Sequence, residues 1–206
     1  MKLLMENWRK FLMEDKGNRL WVVAGPPGSG KTTGVENPVK ALKIPGLIVQ
    51  DMDYIPAVES ATESYMSTLG ALPEEERYTG SPGVQQATAA ATPKAQAGID
   101  DFIRQHTGND ILLVGIAWLG PEKPFSFPEN AQKMFLFPDP KTTIMQKQRR
   151  DAKGEALTDQ QIEDAVADLQ EEKYLYKERG WKLMAPTDIV TLIKSAYVEE
   201  PDETPI

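Results

Sequence analysis

Gly25-Pro26-Pro27-Gly28-Ser29-Gly30-Lys31-Thr32, followed by Thr33, decides how the rest of the chain is read. The spacing is G-x-x-x-x-G-K-[ST], the P-loop pattern. Each residue type answers a physical need. Glycine turns the backbone through positive φ and admits a phosphate where a Cβ would stand in the way. The loop's successive N–H groups form an anion-binding nest at the start of a helix, whose dipole adds partial positive charge. Lys31 is placed to reach the outer phosphates of a nucleotide, and the Thr32 hydroxyl to hold Mg2+.

The flanks suit the loop. Arg19-Leu20-Trp21-Val22-Val23-Ala24 is an apolar run of strand type immediately before it, and Thr32 to Lys43 reads as a helix after it. Pro38 falls inside that helix, where it removes a hydrogen bond and is expected to kink or end it. Beyond the break at Ile44-Pro45-Gly46, Leu47-Ile48-Val49-Gln50 reads as a second buried strand, ending in Asp51-Met52-Asp53-Tyr54. The carboxyl ends of strands are where α/β proteins bind ligands. Alternate residues leave a strand on one side, so Asp51 and Asp53 both face the phosphate region. One is suited to hold Mg2+ through water, the other to anchor a substrate hydroxyl or take its proton. The plainer alternative is a solvated Asp-rich turn with one helix N-cap.

Further along, Ala57 to Leu69 reads as one helix. Residues 73–98 hold almost no large apolar side chain beyond Thr79, and are expected to form a mobile insert that cannot bury enough surface to offset its ordering entropy. Ile99 to His106 reads as a short helix and Asp110 to Trp118 as a third, central strand. A Pro-rich loop with Phe125 and Phe127 follows, then a fourth strand, Lys133 to Phe137. Lys147, Arg149, Arg150 and Lys153 make a basic cluster around a helix end and a loop, 149–157. Thr158-Asp159-Gln160-Gln161 fits a capping box, opening a long helix with Ile162, Val166 and Leu169 on its apolar face. Trp181 to Met184 is a fifth strand, and Thr187 is expected to cap a last helix through Tyr197. Five strands separated by helices imply a mostly parallel sheet covered on both faces, a three-layer α/β/α P-loop NTPase domain over 19–197. Residues 1–18 are expected to form an amphipathic helix that packs on the domain or binds a protein partner, and 198–206 a disordered acidic tail.

The totals narrow the function classes. A chain of 206 residues accommodates one such domain. Its net charge of −8 argues against extended nucleic-acid binding while leaving room for a local phosphate pocket. With no cysteine and one histidine, His106, thiolate chemistry and a His/Cys metal site are excluded. No apolar run is long enough for a membrane span, and the opening residues lack a signal peptide's apolar core, so a cytoplasmic setting is expected.

The P-loop, the second strand and Asp51-x-Asp53 together resemble the small P-loop kinases, a group that includes nucleoside monophosphate, shikimate- and gluconate-type, and polynucleotide kinases and zeta-type toxins. The resemblance implies ATP and Mg2+ as cofactors and transfer of the γ-phosphoryl group to a small acceptor, foremost a nucleotide. A polynucleotide 5′-hydroxyl is the alternative acceptor, and a nucleotide-binding structural or regulatory protein the alternative class. It implies Asp53 as base or substrate anchor and Thr32 with Asp51 at the metal. The 149–157 loop resembles their lid, with Arg149 or Arg150 closing over the phosphates. One departure stands out. In many P-loop proteins the third strand ends in the Walker B aspartate; here the corresponding position is Gly115 or later, with no carboxylate until Glu122. That moves the metal-organising role to Asp51 and Asp53. The compact kinase outline and opening helix suggest a phage or viral source, and with it host cytoplasm.

Overall fold

The computed structural model describes residues 19–77, 80–115, 125–137, 144 and 158–197. Strand β1 (Leu20–Ala24) leads through the glycine-rich loop into α1, a π-helical turn (Lys31–Glu36) continued as α-helix (Asn37–Ala41). Then come β2 (Leu47–Asp51), a 3-10 turn (Met52–Tyr54), α2 (Pro56–Ala71) and α3 (Pro82–Gln105). β3 (Asp110–Gly115), β4 (Gln132–Leu136), α4 (Asp159–Glu178), β5 (Lys182–Met184) and α5 (Pro186–Ser195) follow, and a 3-10 turn (Glu74–Glu76) lies between α2 and α3.

The five strands form one parallel sheet in the order β2-β3-β1-β4-β5. Both faces are covered, which is why the central strands are apolar almost throughout rather than alternating. On one face Leu20, Val22, Ala24, Ile111, Leu113 and Phe135 pack with residues of α2, α3 and α4. On the other, Trp21, Val23, Leu112, Val114, Met134 and Leu136 pack with Val35 and Val39 of α1 and Ile189 and Ile193 of α5. This is the three-layer α/β/α arrangement expected from the sequence.

Pro38 neither ends nor sharply interrupts α1. The turn before it is widened, with the Asn37 N–H bonding the Thr32 carbonyl five residues back. Pro38 then lies in the first turn of the following α-segment, where its missing N–H costs least.

The insert expected over 73–98 is overturned from Pro82 onward. Pro82 to Gln105 is a single 24-residue helix, and the short helix read at Ile99 to His106 is its final part. The Ser81 hydroxyl caps it by accepting from the Val84 N–H, and Pro82 opens the first turn. Its buried face runs through Val84, Ala87, Ala91, Ala95, Gly98 and Ile99, small residues for most of its length. A Cβ added at Gly98 would lie 2.5 Å from the Ala57 Cβ, so α2 and α3 approach until their backbones nearly touch. Alanine loses no side-chain entropy in a helix, and close approach buries backbone and methyl surface that a count of large apolar residues overlooks. Thr187 is likewise not a cap. α5 starts after Ala185 with Pro186 in its first turn, a position that suits proline's fixed φ.

No described helix is long and apolar enough to cross a membrane. The expected N-terminal helix, the third strand as expected beyond Gly115, the whole basic cluster with Arg149, Arg150 and the lid, and the C-terminal tail lie outside the described residues.

Candidate active site

The carboxyl edge of the sheet gathers the residues singled out above. The register pairs Ala24 with Gly115 and with Phe135, and Asp51 with Val114, so β1, β2 and β3 end side by side. From Ala24 the loop turns across the end of β4. A Cβ at Gly25 would stand 2.8 Å from the Leu136 carbonyl oxygen and 2.7 Å from Ser29 Oγ, so only glycine allows this approach. Gly28 and Gly30 take φ of 81° and 84°, and the Ser29 N–H closes a turn onto the Pro26 carbonyl at 3.1 Å. Pro26 is buried and Pro27 exposed. Gly30 precedes α1 in left-handed conformation with no side chain capping the helix, leaving the first N–H groups of α1 facing the loop.

Lys31 folds back over this loop. Its ammonium donates to the carbonyls of Gly25 at 2.7 Å and Pro26 at 3.1 Å, which holds the charge at the loop's mouth. Thr32 and Thr33 are exposed on the first turn. Glycine turns, uncapped helix start and ammonium together make an anion site whose chemistry fits a polyphosphate.

The loop thus joins β1 to α1 at the carboxyl edge of a parallel α/β sheet. No protein-family model matches the chain, and no curated protein matches it. Among solved structures it is similar to shikimate kinase from Acinetobacter baumannii in complex with shikimate, with a TM-score of 0.48 and 15% identity, covering 89% of this chain and 97% of that one. It is also similar to a chain in the structure of the Pnkp1/Rnl/Hen1 RNA repair complex, with a TM-score of 0.39 and 14% identity, covering 77% of this chain and 46% of that one. At such identities the likeness concerns the path of the backbone, and the chemistry has to be built from this chain's own residues.

Asp51 takes a place the sequence left open. Gly115 ends β3 with φ of 150°, and a Cβ there would meet Asp51 Oδ1 at 3.2 Å and Met52 Cβ at 3.2 Å. The β2 carboxylate therefore covers the strand end that the sequence marks as lacking an acid. The same Oδ1 accepts from the Asp53 N–H at 3.0 Å and caps the Met52–Tyr54 turn, so the capping role and the site position coincide. Burial holds the Asp51 carboxyl above its usual range; the Asp53 N–H counters this, the Asp53 and Glu36 charges add to it, and Lys31 opposes them. Asp53 is exposed at the same edge. Lys31, Asp51 and Asp53 are thus brought together, whereas Arg149 and Arg150 lie outside the described residues.

For a metal, the oxygens that would serve are the Thr32 hydroxyl and the Asp51 carboxylate. Among the described residues no group of three His, Cys, Asp or Glu side chains converges. A hard cation that keeps its waters and shares phosphate oxygens suits such a sparse set, as Mg2+ does.

Two acids were not picked out from the sequence. Glu36 is 5% exposed; one oxygen receives the Lys40 ammonium at 2.6 Å and the other is buried with no hydrogen-bond partner. Its place four residues after Thr32 in the loop's own helix was the available signal. Glu172 of α4 feels the charge of Lys31, and no local pattern in the sequence announces it.

Proposed function

We propose that this protein is an ATP-dependent phosphotransferase that moves the γ-phosphoryl group to a small acceptor, foremost a nucleotide. The observation that carries the reading is Asp51 lying over Gly115 beside an uncapped glycine loop. Together they supply an anion site and one carboxylate that would hold Mg2+, which would supply charge neutralisation at the phosphates.

In this reading the loop N–H groups and Lys31 bind the β- and γ-phosphates, and Thr32 with Asp51 holds Mg2+, directly or through water. Asp53, the exposed acid, orients the acceptor, and takes its proton where the acceptor is a hydroxyl, as the acceptor oxygen forms its bond to phosphorus; ADP leaves with the electrons of the broken P–O bond. Arg149 and Arg150 are assigned to the closing lid, where a guanidinium binds phosphate oxygens in pairs and keeps its charge. Catalysis of this kind comes from positioning and electrostatics rather than from a covalent intermediate.

The test is transfer from γ-labelled ATP with Mg2+ to each nucleoside monophosphate, to a 5′-hydroxyl oligonucleotide and to water alone, with Lys31→Ala and Asp53→Asn in parallel. We expect transfer to one acceptor class, lost in Lys31→Ala and reduced at least 100-fold in Asp53→Asn, a range typical of general-base removal. Nucleotide binding without transfer to any acceptor would instead favour a binding protein with little catalysis.

A further inference from the structure

We propose that Glu172 is a positioning residue of the phosphate site, acting on Lys31 from across the loop and taking up a proton as phosphate binds. The inference builds on the loop being a nucleotide phosphate site.

The packing of α4 puts Glu172 there. Tyr176, 3% exposed, stacks on Phe135 with ring centroids 3.9 Å apart and meets Trp181 edge-on at 5.1 Å. Phe135 pairs in register with Ala24, so Tyr176 marks the level at which β1 ends and the loop begins. α4 connects two parallel strands and therefore runs against them, its N-terminal half pointing past the carboxyl edge. Glu172, four residues before Tyr176, lies on the same face about 6 Å further along. That is the level of Gly25, which closes on Leu136, and of Lys31, which is bonded to Gly25. Lys173, next in the chain, turns aside and places its ammonium 4.6 Å from the centre of the Phe137 ring. Among the described residues no hydrogen bond or ion pair engages the Glu172 carboxylate.

The surroundings are uneven in charge. The loop contributes Lys31, and α4 itself Lys173 and Tyr176, with Arg179 acting on Tyr176 a turn away. Among the described residues the end of β4 contributes the apolar Met134, Phe135, Leu136 and Phe137. Burial pushes the Glu172 carboxyl up to about 7, with Lys31 pulling the other way. A phosphate arriving at Lys31 adds negative charge and takes up the ammonium. Both effects favour the neutral carboxyl, which can then donate a hydrogen bond. Binding is thereby linked to proton uptake, and affinity falls as pH rises above the carboxyl's value.

Calorimetric titration with Mg-ADP between pH 6.5 and 8.5, in buffers of differing ionisation enthalpy, tests this on the wild type, Glu172→Gln and Lys31→Ala. The wild type is expected to absorb a fraction of a proton at pH 7.5 and to lose affinity roughly tenfold across the range. Glu172→Gln should absorb less by that fraction, lose correspondingly less affinity and bind more tightly than wild type at pH 8.5. Comparing the two proteins removes the nucleotide's own titration, and a merely structural role for Glu172 would shift affinity equally at every pH. Coinciding pH profiles, with binding intact in the wild type and lost in Lys31→Ala, would overturn the role of Glu172 and leave the phosphate site standing. Failure of the wild type to bind Mg-ADP at any pH would overturn both.

Discussion

Gly115 and Asp51 form one unit of the site although they come from different strands. The glycine gives up its side chain and the aspartate fills the place above it, at 3.2 Å from where a Cβ would be. Gly115→Ala brings a Cβ against Oδ1 at a φ of 150° that L residues rarely adopt. We expect it to cost about 1–3 kcal/mol of stability, read by urea denaturation. Asp51→Asn separates the two duties of that side chain. The amide oxygen still accepts from the Asp53 N–H, so the fold should persist, while the lost charge should raise the Mg2+ concentration needed for half-maximal phosphoryl transfer at least tenfold. A magnesium titration of the variant checks it. Equal Mg2+ requirements in the two proteins would remove Asp51 from the metal site.

Among the elements, α2 and α3 hold together by being slim. Gly98 meets Ala57 so closely that even Gly98→Ala must part the helices, at an expected cost of about 1–3 kcal/mol despite alanine's better helix propensity. Adding Ala57→Gly should recover part of that loss, which a double-mutant cycle measures. Arg77 closes the C-terminus of α2 by donating to the carbonyls of Leu72 and Gly70, both at 2.9 Å, so the chain turns toward α3 with its backbone satisfied. The polar stretch between the helices is thus partly a cap, and the alanine run after it is a packing surface.

Across the whole molecule the two ends of the sheet have different duties. Opposite the loop, Asp110 at the start of β3 accepts from the Arg19 N–H at 2.8 Å and from the Tyr197 hydroxyl, while Arg19 Nη1 donates to the Ala196 carbonyl at 2.6 Å. This knot ties the starts of β1 and β3 to the end of α5. Burial, followed by the bond to Asp110, pushes the Tyr197 hydroxyl well up, so it stays a donor throughout the physiological range. Asp110→Ala should cost about 1–3 kcal/mol while leaving Mg-ADP affinity unchanged, because the knot lies at the far edge from the loop. At the carboxyl edge the shifted groups are carboxyls, also raised. Asp51 and Glu172 keep protons in the folded chain that the unfolded chain releases nearer pH 4 to 4.5. More protons bound when folded means stability falls as pH rises from about 4.5 to about 7. Melting temperatures of wild type and Glu172→Gln should therefore diverge over that window, the variant lacking part of the fall.

The P-loop and the central strands were legible because their causes are local. Glycines at fixed spacing followed by lysine and threonine need only each other to form the loop, and strands buried on both faces are apolar without interruption. The carboxylates after β2 were legible as a pair at a strand end, although their relation to Gly115 was not. That relation depends on β2 lying beside β3 in a register pairing Asp51 with Val114, which no neighbour in sequence dictates. The length of α3 was hidden because burial by alanine and glycine depends on how closely a partner helix approaches. Glu172 was invisible for the same kind of reason: its place beside Lys31 follows from a tyrosine stacked on another strand's phenylalanine. The chain by itself determined the glycine-rich loop and which strands are core. Tertiary structure alone decided which acids face the loop, because a carboxylate's neighbours and its protonation are set by packing across the sheet.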